Sequence, residues 1–565
     1  MNLEIDYLWS HKCPKKWNQY TLVALVITII LLLILAGVTI SSITSTGLFE
    51  KAKEAKRKQE EAQRQEESEL ALYELEIEKE NNPQYSDGSW NENQKVNAPE
   101  LLTGMIPIKF TEPTSEKEGE TVTTSTTDDE WYNYSDKKWA NVQTQDGSMW
   151  VWIPRFAYKV DGTNQRFDVV FLQGNSDNYY ENGELKTAQR QTSADQTIDT
   201  TNNYTVHPAF TNESNIGYAN GGWDKELPGI WVAKFEAGYA SGNNSAPVKS
   251  SSVNYSQKNV WANSAETGTG SDGSVTARNW LDKTYGSTTT SIKYPTFQGI
   301  TYSMNYINHN DAYNISRALT ESGNIYGLSN DADSHLMKNS EWGAVAYLAQ
   351  STYGLNGQNI YINNVNLSNS TESVYAVTGM SALTENAGQV TTTIDAINNR
   401  KLTNAYNWKQ INGIKASSTG TIYGIYDMSG GTYERTAGLV ANGNGNLTNH
   451  GKSLLNNGTK DSTSTKYVTV YPSSDSGETD IDKASQKNYE ANTKIYGDGI
   501  RETSTAGTGS TSWYKDYSYF PAYDGPFALR GGNLWSGSTA GLFSFNRHNG
   551  SSNFYSGFRS VLVAM

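Results

Sequence analysis

Residue types that usually carry catalysis or hold metals are sparse and poorly spaced in this sequence. The chain has one cysteine, Cys13, so it can build neither a disulfide framework nor a cysteine-ligated zinc site. Its six histidines are scattered without metal-ligand spacing, and Asp331-Ala332-Asp333 lacks the glycine and glutamate of a calcium loop. The sequence has no phosphate-binding glycine loop, G-x-S-x-G elbow or metalloprotease His/Glu pair. These patterns predict no metal, no cofactor and no enzyme.

Short apolar runs bounded by turn residues must supply the scaffold that positions any site. Residues 149–154 and 229–235 are rich in β-branched and aromatic side chains, which predicts two strands with core-packing side chains. Residues 340–348 predict a short amphipathic helix that Ser340 caps and that residues 351–354 close. Helices are expected to be few elsewhere.

The composition indicates a folded protein with short strands and long polar loops. Only 36% of the 565 residues are hydrophobic, but 15 Trp and 36 Tyr argue against disorder. A formal charge of −14 leaves no basic surface for a phosphate backbone, so nucleic acid is excluded as a partner.

The N-terminal part predicts a membrane anchor. A basic leader at residues 1–19 precedes a predicted transmembrane helix at 20–46, which contains about twenty uncharged apolar positions, enough for roughly 30 Å of helix. Residues 47–82 predict a charged helical stalk with favourable pairs such as Glu54 with Lys58. Residues 83–129 are rich in Thr, Ser and Glu, which predicts a polar linker.

The run TLVALVITI, which begins at Thr21, resembles the N-terminal helix of type IV pilin-like proteins of Gram-positive bacteria. The resemblance implies export, a membrane-anchored chain and an extracellular C-terminal domain on the bacterial surface. Two positions depart from the pilin pattern: Asn18-Gln19 replaces the glycine at the cleavage site, and Ala24 replaces the glutamate that guides assembly.

Five blocks over residues 130–565 resemble, in order, those of the formylglycine-generating-enzyme family. They are MWVWIPRFAY, GIWVAKFEAG, SHLMKNSEWGAVAYLAQSTYG, GTIYGIYDMSGGTYERTAG and ALRGGNLWSG with its terminal GFR. The resemblance implies a C-type-lectin-like domain, and the expected fold class is therefore α+β, with a long membrane-anchored helix before that domain. The enzymes use a cysteine pair that this chain lacks, so their chemistry is not expected here.

The last block resembles the variable proteins targeted by diversity-generating retroelements, in which a hypermutated segment lies between Arg-Gly-Gly and Gly-Phe-Arg. Here that segment is 528–560, framed by residues 530–532 and 557–559. The glycines would allow close backbone approach, Phe558 would pack inward, and the residues between would face solvent.

Side chains in this segment combine aromatic rings with small hydrogen-bonding groups, a composition that antibody paratopes share. The predicted ligand-binding residues are Asn533, Leu534, Trp535, Ser536, Ser538, Ser544, His548, Ser551, Phe554 and Tyr555. The expected function is adhesion to a protein or glycan on another cell or phage, without catalysis.

Three alternatives stay open at the level of sequence. In the first alternative, the segment 528–560 is an ordinary polar end of the chain. In the second, the chain is a minor pilin or pseudopilin whose apolar helix joins a pilus-like assembly. In the third, it is a divergent enzyme of the formylglycine-generating-enzyme superfamily or a carbohydrate-active one, with Glu341 or Asp427 as the first catalytic candidates.

Overall fold

The structure is a computed structural model, and it divides the chain into two units, Met1–Glu67 and Ser68–Met565. In the first unit the described residues 55, 56, 58, 59 and 62 are helical. The other described residues all belong to the second unit. They are 88–212, 222–239, 294–299, 303–304, 307–329, 332–363, 375–376, 408–455, 466–533, 536–553 and 555–564.

Strands of the first half of the second unit are short, as the composition predicts. They are β1 (Trp90–Asn91), β2 (Val96–Asn97), β3 (Ile106–Phe110), β4 (Thr121–Thr123), β5 (Asn141–Gln143), β6 (Met149–Pro154), β7 (Phe156–Asp161), β8 (Arg166–Phe171), β9 (Asn178–Glu181), β10 (Glu184–Thr187), β11 (Thr205–Val206), β12 (Gly229–Ala233), β13 (Gly238–Tyr239) and β14 (Pro295–Thr296).

Strands of the second half include the longest one, β18. They are β15 (Ala332–Leu336), β16 (Ile362–Asn363), β17 (Tyr375–Ala376), β18 (Tyr433–Ala441), β19 (Thr469–Pro472), β20 (Thr508–Gly509), β21 (Ser518–Tyr519), β22 (Phe527–Arg530), β23 (Phe545–His548), β24 (Ser556–Phe558) and β25 (Ser560–Ala564).

The helices among the described residues of the second unit are short. The α-helices are α1 (His309–Arg317), α2 (Asn339–Ala349), α3 (Gly445–Gly451) and α4 (Ile481–Ala491). Single 3-10 turns occur at Tyr134–Asp136, Pro208–Phe210, Gly413–Ala416, Lys452–Leu454, Trp513–Lys515 and Gly537–Thr539.

A seven-stranded antiparallel sheet in the order β15-β25-β12-β6-β5-β3-β4 forms the centre of the main core. The predicted strands at 149–154 and 229–235 are confirmed as β6 and β12, which pair directly through Trp152 and Trp231. All residues of both strands are buried, because other elements cover both faces. This burial on both faces explains their continuous apolar sequence.

The linker predicted at 83–129 needs correction, because much of it is folded. Ile106–Phe110 forms β3 inside the central sheet, and Ile106 and Ile108 are buried there. The β1–β2 hairpin is tied to the body through Asn97, whose amide donates to the carbonyls of Gly174 and Pro228 at 3.0 Å. The composition of this region is typical of a linker because each of these strands is short and flanked by long turns rich in Thr and Glu.

A second sheet has the order β19-β18-β22-β23-β21-β20, with β24 pairing in parallel with β18. β22 and β24 are the two ends of the predicted binding segment, and both pair with β18. The segment between them therefore leaves and returns to the same strand.

Helix α2 confirms the predicted helix but corrects its character. All of its residues, Asn339–Ala349, are buried, so it is packed on every side rather than amphipathic. The N-cap is Lys338 rather than Ser340, and Glu341 accepts a hydrogen bond from the Lys338 backbone N–H at 2.8 Å. After its polar first turn the helix is almost entirely apolar, as expected for a helix that the protein encloses.

The expected fold class, with its long membrane-anchored helix, is contradicted. In the part of the chain that the structure describes, no helix is both long and apolar enough to cross a bilayer, and strands predominate over helices. Among the described residues of the second unit, the longest α-helices have 11 residues, about 16 Å, which is near half of a bilayer's hydrocarbon core. The predicted localisation, which depended on that helix, is corrected with it. Residues 20–46 themselves lie outside the described residues.

Candidate binding face

The C-terminal segment starts at a double glycine in the left-handed backbone region. Gly531 has φ +85° and Gly532 has φ +75°, conformations that residues with a Cβ rarely adopt. A Cβ at Gly532 would lie 2.7 Å from the Cα of Ala540. The chain therefore turns back sharply on itself directly after β22, as the frame prediction requires.

At the other end, Phe558 and Arg559 are fully buried. The Arg559 guanidinium donates from Nε to Glu434 Oε2 at 2.8 Å and from Nη2 to Glu434 Oε1, a bidentate pair. It also donates to the backbone carbonyls of Ala233 and Tyr426, both at 2.7 Å. The burial of Phe558 confirms its predicted inward packing. The hydrogen bonds of Arg559 hold the end of the segment against β18 and β12.

Two further buried arginines hold the segment by its main chain. Arg530 donates from Nε to the carbonyl of Ser544 at 3.2 Å, and Arg435 donates from Nη2 to the carbonyl of Ser551 at 2.6 Å. Both arginines are 0% exposed. Because a carbonyl is present at every position, these bonds do not depend on which side chains the segment carries.

Asp516 supplies a third tether of the same kind. Its Oδ2 accepts the backbone N–H of Phe543 at 2.9 Å, and burial raises the pKa of Asp516 well above its ordinary value. The neighbouring Tyr517 backbone donates to the carbonyl of Thr539 and accepts from Phe545 N–H, both at 2.9 Å. The path of residues 539–545 is therefore fixed by backbone hydrogen bonds.

The structure places the predicted binding residues unevenly. Ser538 is exposed, and Ser536, His548, Ser551 and Tyr555 are half-buried at the surface. Two of the predicted residues do not face solvent as expected, because Asn533 and Ser544 are 3% and 0% exposed. Three further predicted residues lie outside the described residues, namely Leu534, Trp535 and Phe554.

Asn533 and Ser544 are buried because they belong to the turns that shape the loop. Asn533 Oδ1 accepts the Ser536 hydroxyl at 3.1 Å, and the Asn533 backbone N–H donates back to the same hydroxyl at 3.0 Å. Ser544 closes a turn by donating its backbone N–H to Gly541 at 3.1 Å. Both residues therefore stabilise the conformation of the loop, and the prediction that their side chains face solvent is wrong.

Aromatic side chains link the surface residues of the segment to β18. Tyr433 lies with its ring centroid 6.4 Å from that of Tyr555, and its hydroxyl is 3.3 Å from Ser536 Oγ. The rings of Tyr555 and His548 are 6.3 Å apart and nearly perpendicular. These four residues form one continuous patch of half-buried side chains.

Sequence reasoning missed a further group of side chains at β21, where Tyr517 lies near enough to Tyr433 for the two to interact electrostatically. The rings of Tyr517 and Tyr519 stack at 6.2 Å, and the guanidinium carbon of Arg547 lies 5.0 Å from the Tyr519 ring centroid. Burial raises the pKa of Tyr517, and Tyr433 adds to the rise. We call Tyr433, Ser536, Tyr517, Tyr519, Arg547, His548 and Tyr555 the tyrosine face. The alternating tyrosines in YKDYSYF were the available signal.

The tyrosine face is close to electrically neutral. Arg547 is paired with Asp524 at 2.7 Å. Burial, together with the nearby Arg435, lowers the pKa of His548 well below its ordinary value, so the imidazole is uncharged. Its Nδ1 accepts the backbone N–H of Gly550 at 3.0 Å. The face therefore offers aromatic rings and hydroxyl groups for recognition, and the lowered pKa makes the imidazole of His548 a weak base.

The two catalytic candidates from the sequence are both buried. Glu341 is 0% exposed and lies 2.9 Å from His335 Nε2. Asp427 is 2% exposed and accepts the Asn363 side-chain amide at 2.7 Å. Neither belongs to the tyrosine face, and each accepts hydrogen bonds inside the protein. Among the described residues no His, Cys, Asp and Glu group has the arrangement of a metal site.

No protein-family model and no curated protein matches this sequence. The resemblances to pilin-like, formylglycine-generating-enzyme-like and retroelement-diversified proteins rest on short motifs. The fold and function implied by the formylglycine-generating-enzyme-like and retroelement-diversified resemblances stay predictions.

Proposed function

We propose that this protein is a non-catalytic binding protein that recognises the surface of another protein through the tyrosine face. The observation that carries the proposal is the set of half-buried tyrosines on β18, at β21 and in the segment 528–560, together with the buried arginines that hold the main chain of that segment. Tyrosine supplies a large, rigid contact area at low entropic cost, and its hydroxyl adds a directed hydrogen bond.

The frame beneath the face supports a further part of this proposal, that the segment 528–560 is diversified. Arg435 and Arg530 bind carbonyl oxygens of the segment, and Asp516 binds an N–H. A residue at an exposed position such as Ser538 has no part in these bonds. Side chains can therefore change without loss of the backbone path, which is the requirement that a diversified binding surface must meet.

A variant of the face provides the binding test. The full chain and its Y433S/Y517S/Y555S variant are immobilised and compared in quantitative capture from bacterial cell extracts and purified phage, followed by measurement of Kd with each purified candidate. Truncating several rings at the centre of an interface is expected to weaken binding at least about tenfold. Tyr180 is 42% exposed on β9, so Y180S is the matched control and should bind as wild type does.

Equal capture by wild type and the triple variant would overturn the proposal. If the triple variant loses its near-UV circular dichroism, Y555S alone replaces it, because that ring is only partly enclosed. Diversification has a separate test in sequences of the gene from many isolates. Variation should concentrate at residues such as 538 and 551, while residues 530–532 and 557–559 stay fixed; uniform variation would contradict it.

A further inference from the structure

A second candidate site lies in the region where the sequence predicted only a linker. A cavity of about 360 Å³ is formed by the β1–β2 hairpin together with residues 126–132. Its volume is at the lower end of the range for small-molecule sites, roughly 300–1,000 Å³. Its walls include the rings of Trp90 and Tyr132 and the polar side chains of Asn93, Gln94 and Asp129.

The wall of the cavity is internally organised. Asn91 donates from Nδ2 to the Tyr132 hydroxyl at 2.8 Å, and its Oδ1 accepts the backbone N–H groups of Asn93 and Gln94 at 3.0 and 3.1 Å. Tyr132 is also held edge-on against the buried Trp131, with ring centroids 5.3 Å apart. The hairpin and the aromatic wall are therefore positioned before any ligand arrives.

Several polar groups of the cavity have no hydrogen-bond partner among the described residues. Asn93, Gln94 and Asp129 make no side-chain hydrogen bond there, whereas the adjacent Asp128 accepts from Lys109 and from the Glu130 backbone at 2.8 Å each. Two amides and one carboxylate thus remain available as donors and acceptors. This combination can bond pairs of neighbouring hydroxyl groups.

The charge at the cavity disfavours anionic ligands. Lys95 pairs with Glu92 at 2.6 Å, and Lys109 pairs with Asp128 at 2.8 Å and with Glu130 at 2.9 Å. These pairs neutralise the neighbouring cations, and no described lysine or arginine forms an ion pair with Asp129. A phosphate or a sialylated glycan would meet repulsion without compensation.

We infer that this cavity binds a neutral saccharide of one or two rings. The aromatic side chains of Trp90 and Tyr132 suit the apolar C–H groups of a sugar ring, and Asn93, Gln94 and Asp129 suit its hydroxyl groups. The site uses none of the residues of the tyrosine face and does not depend on the function proposed for it.

Saturation-transfer-difference NMR with the full chain tests this inference. The probes are three neutral disaccharides (cellobiose, lactose and diacetylchitobiose), anionic 3′-sialyllactose and cationic spermidine. At least one neutral disaccharide should bind with a millimolar Kd, and sialyllactose should bind more weakly than lactose. W90A should weaken binding about tenfold or more. N93A/Q94A should weaken it by about three- to tenfold, the effect of losing one or two neutral hydrogen bonds.

The double variant N93A/Q94A is expected to fold as wild type does, because neither side chain forms a hydrogen bond with another part of the described chain. Y523A is the matched control, since Tyr523 is 42% exposed and does not line the cavity. Three results would overturn the inference: no neutral disaccharide binds at millimolar concentration, the double variant binds like wild type, or only spermidine binds.

Discussion

The bidentate pair of Glu434 and Arg559 should be one of the most important single interactions for the stability of the second unit. The two side chains are 1% and 0% exposed. Burial raises the pKa of Glu434, and the charge of Arg559 opposes the rise. Removing one partner leaves the other charge buried, which typically costs about 3–5 kcal/mol. That cost is a large share of a native stability of about 5–15 kcal/mol.

The contacts of each partner rank the variants. In E434Q the amide oxygen can still accept one Arg559 N–H, so we expect a loss of about 3 kcal/mol in the free energy of unfolding. R559M also leaves the carbonyls of Ala233 and Tyr426 without that donor, at about 1–3 kcal/mol each, so it should be the more damaging change. E434Q/R559M removes both charges and should be less destabilising than R559M alone.

Urea unfolding followed by tryptophan fluorescence measures these differences. The double-mutant cycle should give a coupling energy of about 2–3 kcal/mol. The exposed pair of Lys95 and Glu92 is the matched control, with side chains 62% and 63% exposed, and E92Q should leave the urea midpoint unchanged. The reasoning is refuted if E434Q lies within about 1 kcal/mol of wild type or if the two single effects simply add.

Three further predictions concern the surroundings of the same frame. Burial and the charge of Asp498 raise the pKa of Glu502 to about 7, so the native state keeps a proton that the unfolded chain releases near the ordinary value of 4.5. Stability should therefore fall as pH rises from about 4.5 to 7, by up to about 1.4 kcal/mol per pH unit, and level off above pH 7. E502Q should remove this slope in urea midpoints measured from pH 5 to 8, and an unchanged slope would contradict the assignment. G532A should destabilise the protein by about 1–3 kcal/mol, measured by thermal unfolding, because of its positive φ and the close Cα of Ala540; a neutral effect would show that the turn relaxes. S538R should change the free energy of unfolding, measured by thermal unfolding, by no more than about 0.5 kcal/mol, because Ser538 is exposed. A larger loss would show that the surroundings of Ser538 are packed.

The frame of the binding segment could be predicted from sequence because local chemistry determines it. A double glycine predicts positive φ and close backbone approach, and both are present at Gly531 and Gly532. The apolar runs that became β6 and β12 were equally clear, because a strand buried on both faces needs a continuous apolar sequence.

The sequence alone could not predict which residues form the tyrosine face, because the sheet topology brings them together. Tyr433 and Tyr517 lie far from Tyr555 in sequence and reach it only because β18 and β21 belong to the same sheet. The burial of Ser544 was equally hidden, since a serine can face solvent or serve a turn with the same sequence signature. The hairpin at Trp90 was missed because strands of two residues carry no periodicity.

The most direct test of the central claim is a saturation scan of residues 530–559 in the full chain, scored by resistance to protease. The claim is that a fixed frame held by backbone bonds carries a permissive surface. The account predicts that residues 538, 551 and 555 accept most substitutions, while Gly531, Gly532, Phe558 and Arg559 accept almost none. Equal tolerance at both sets, or intolerance at the surface positions, would contradict it.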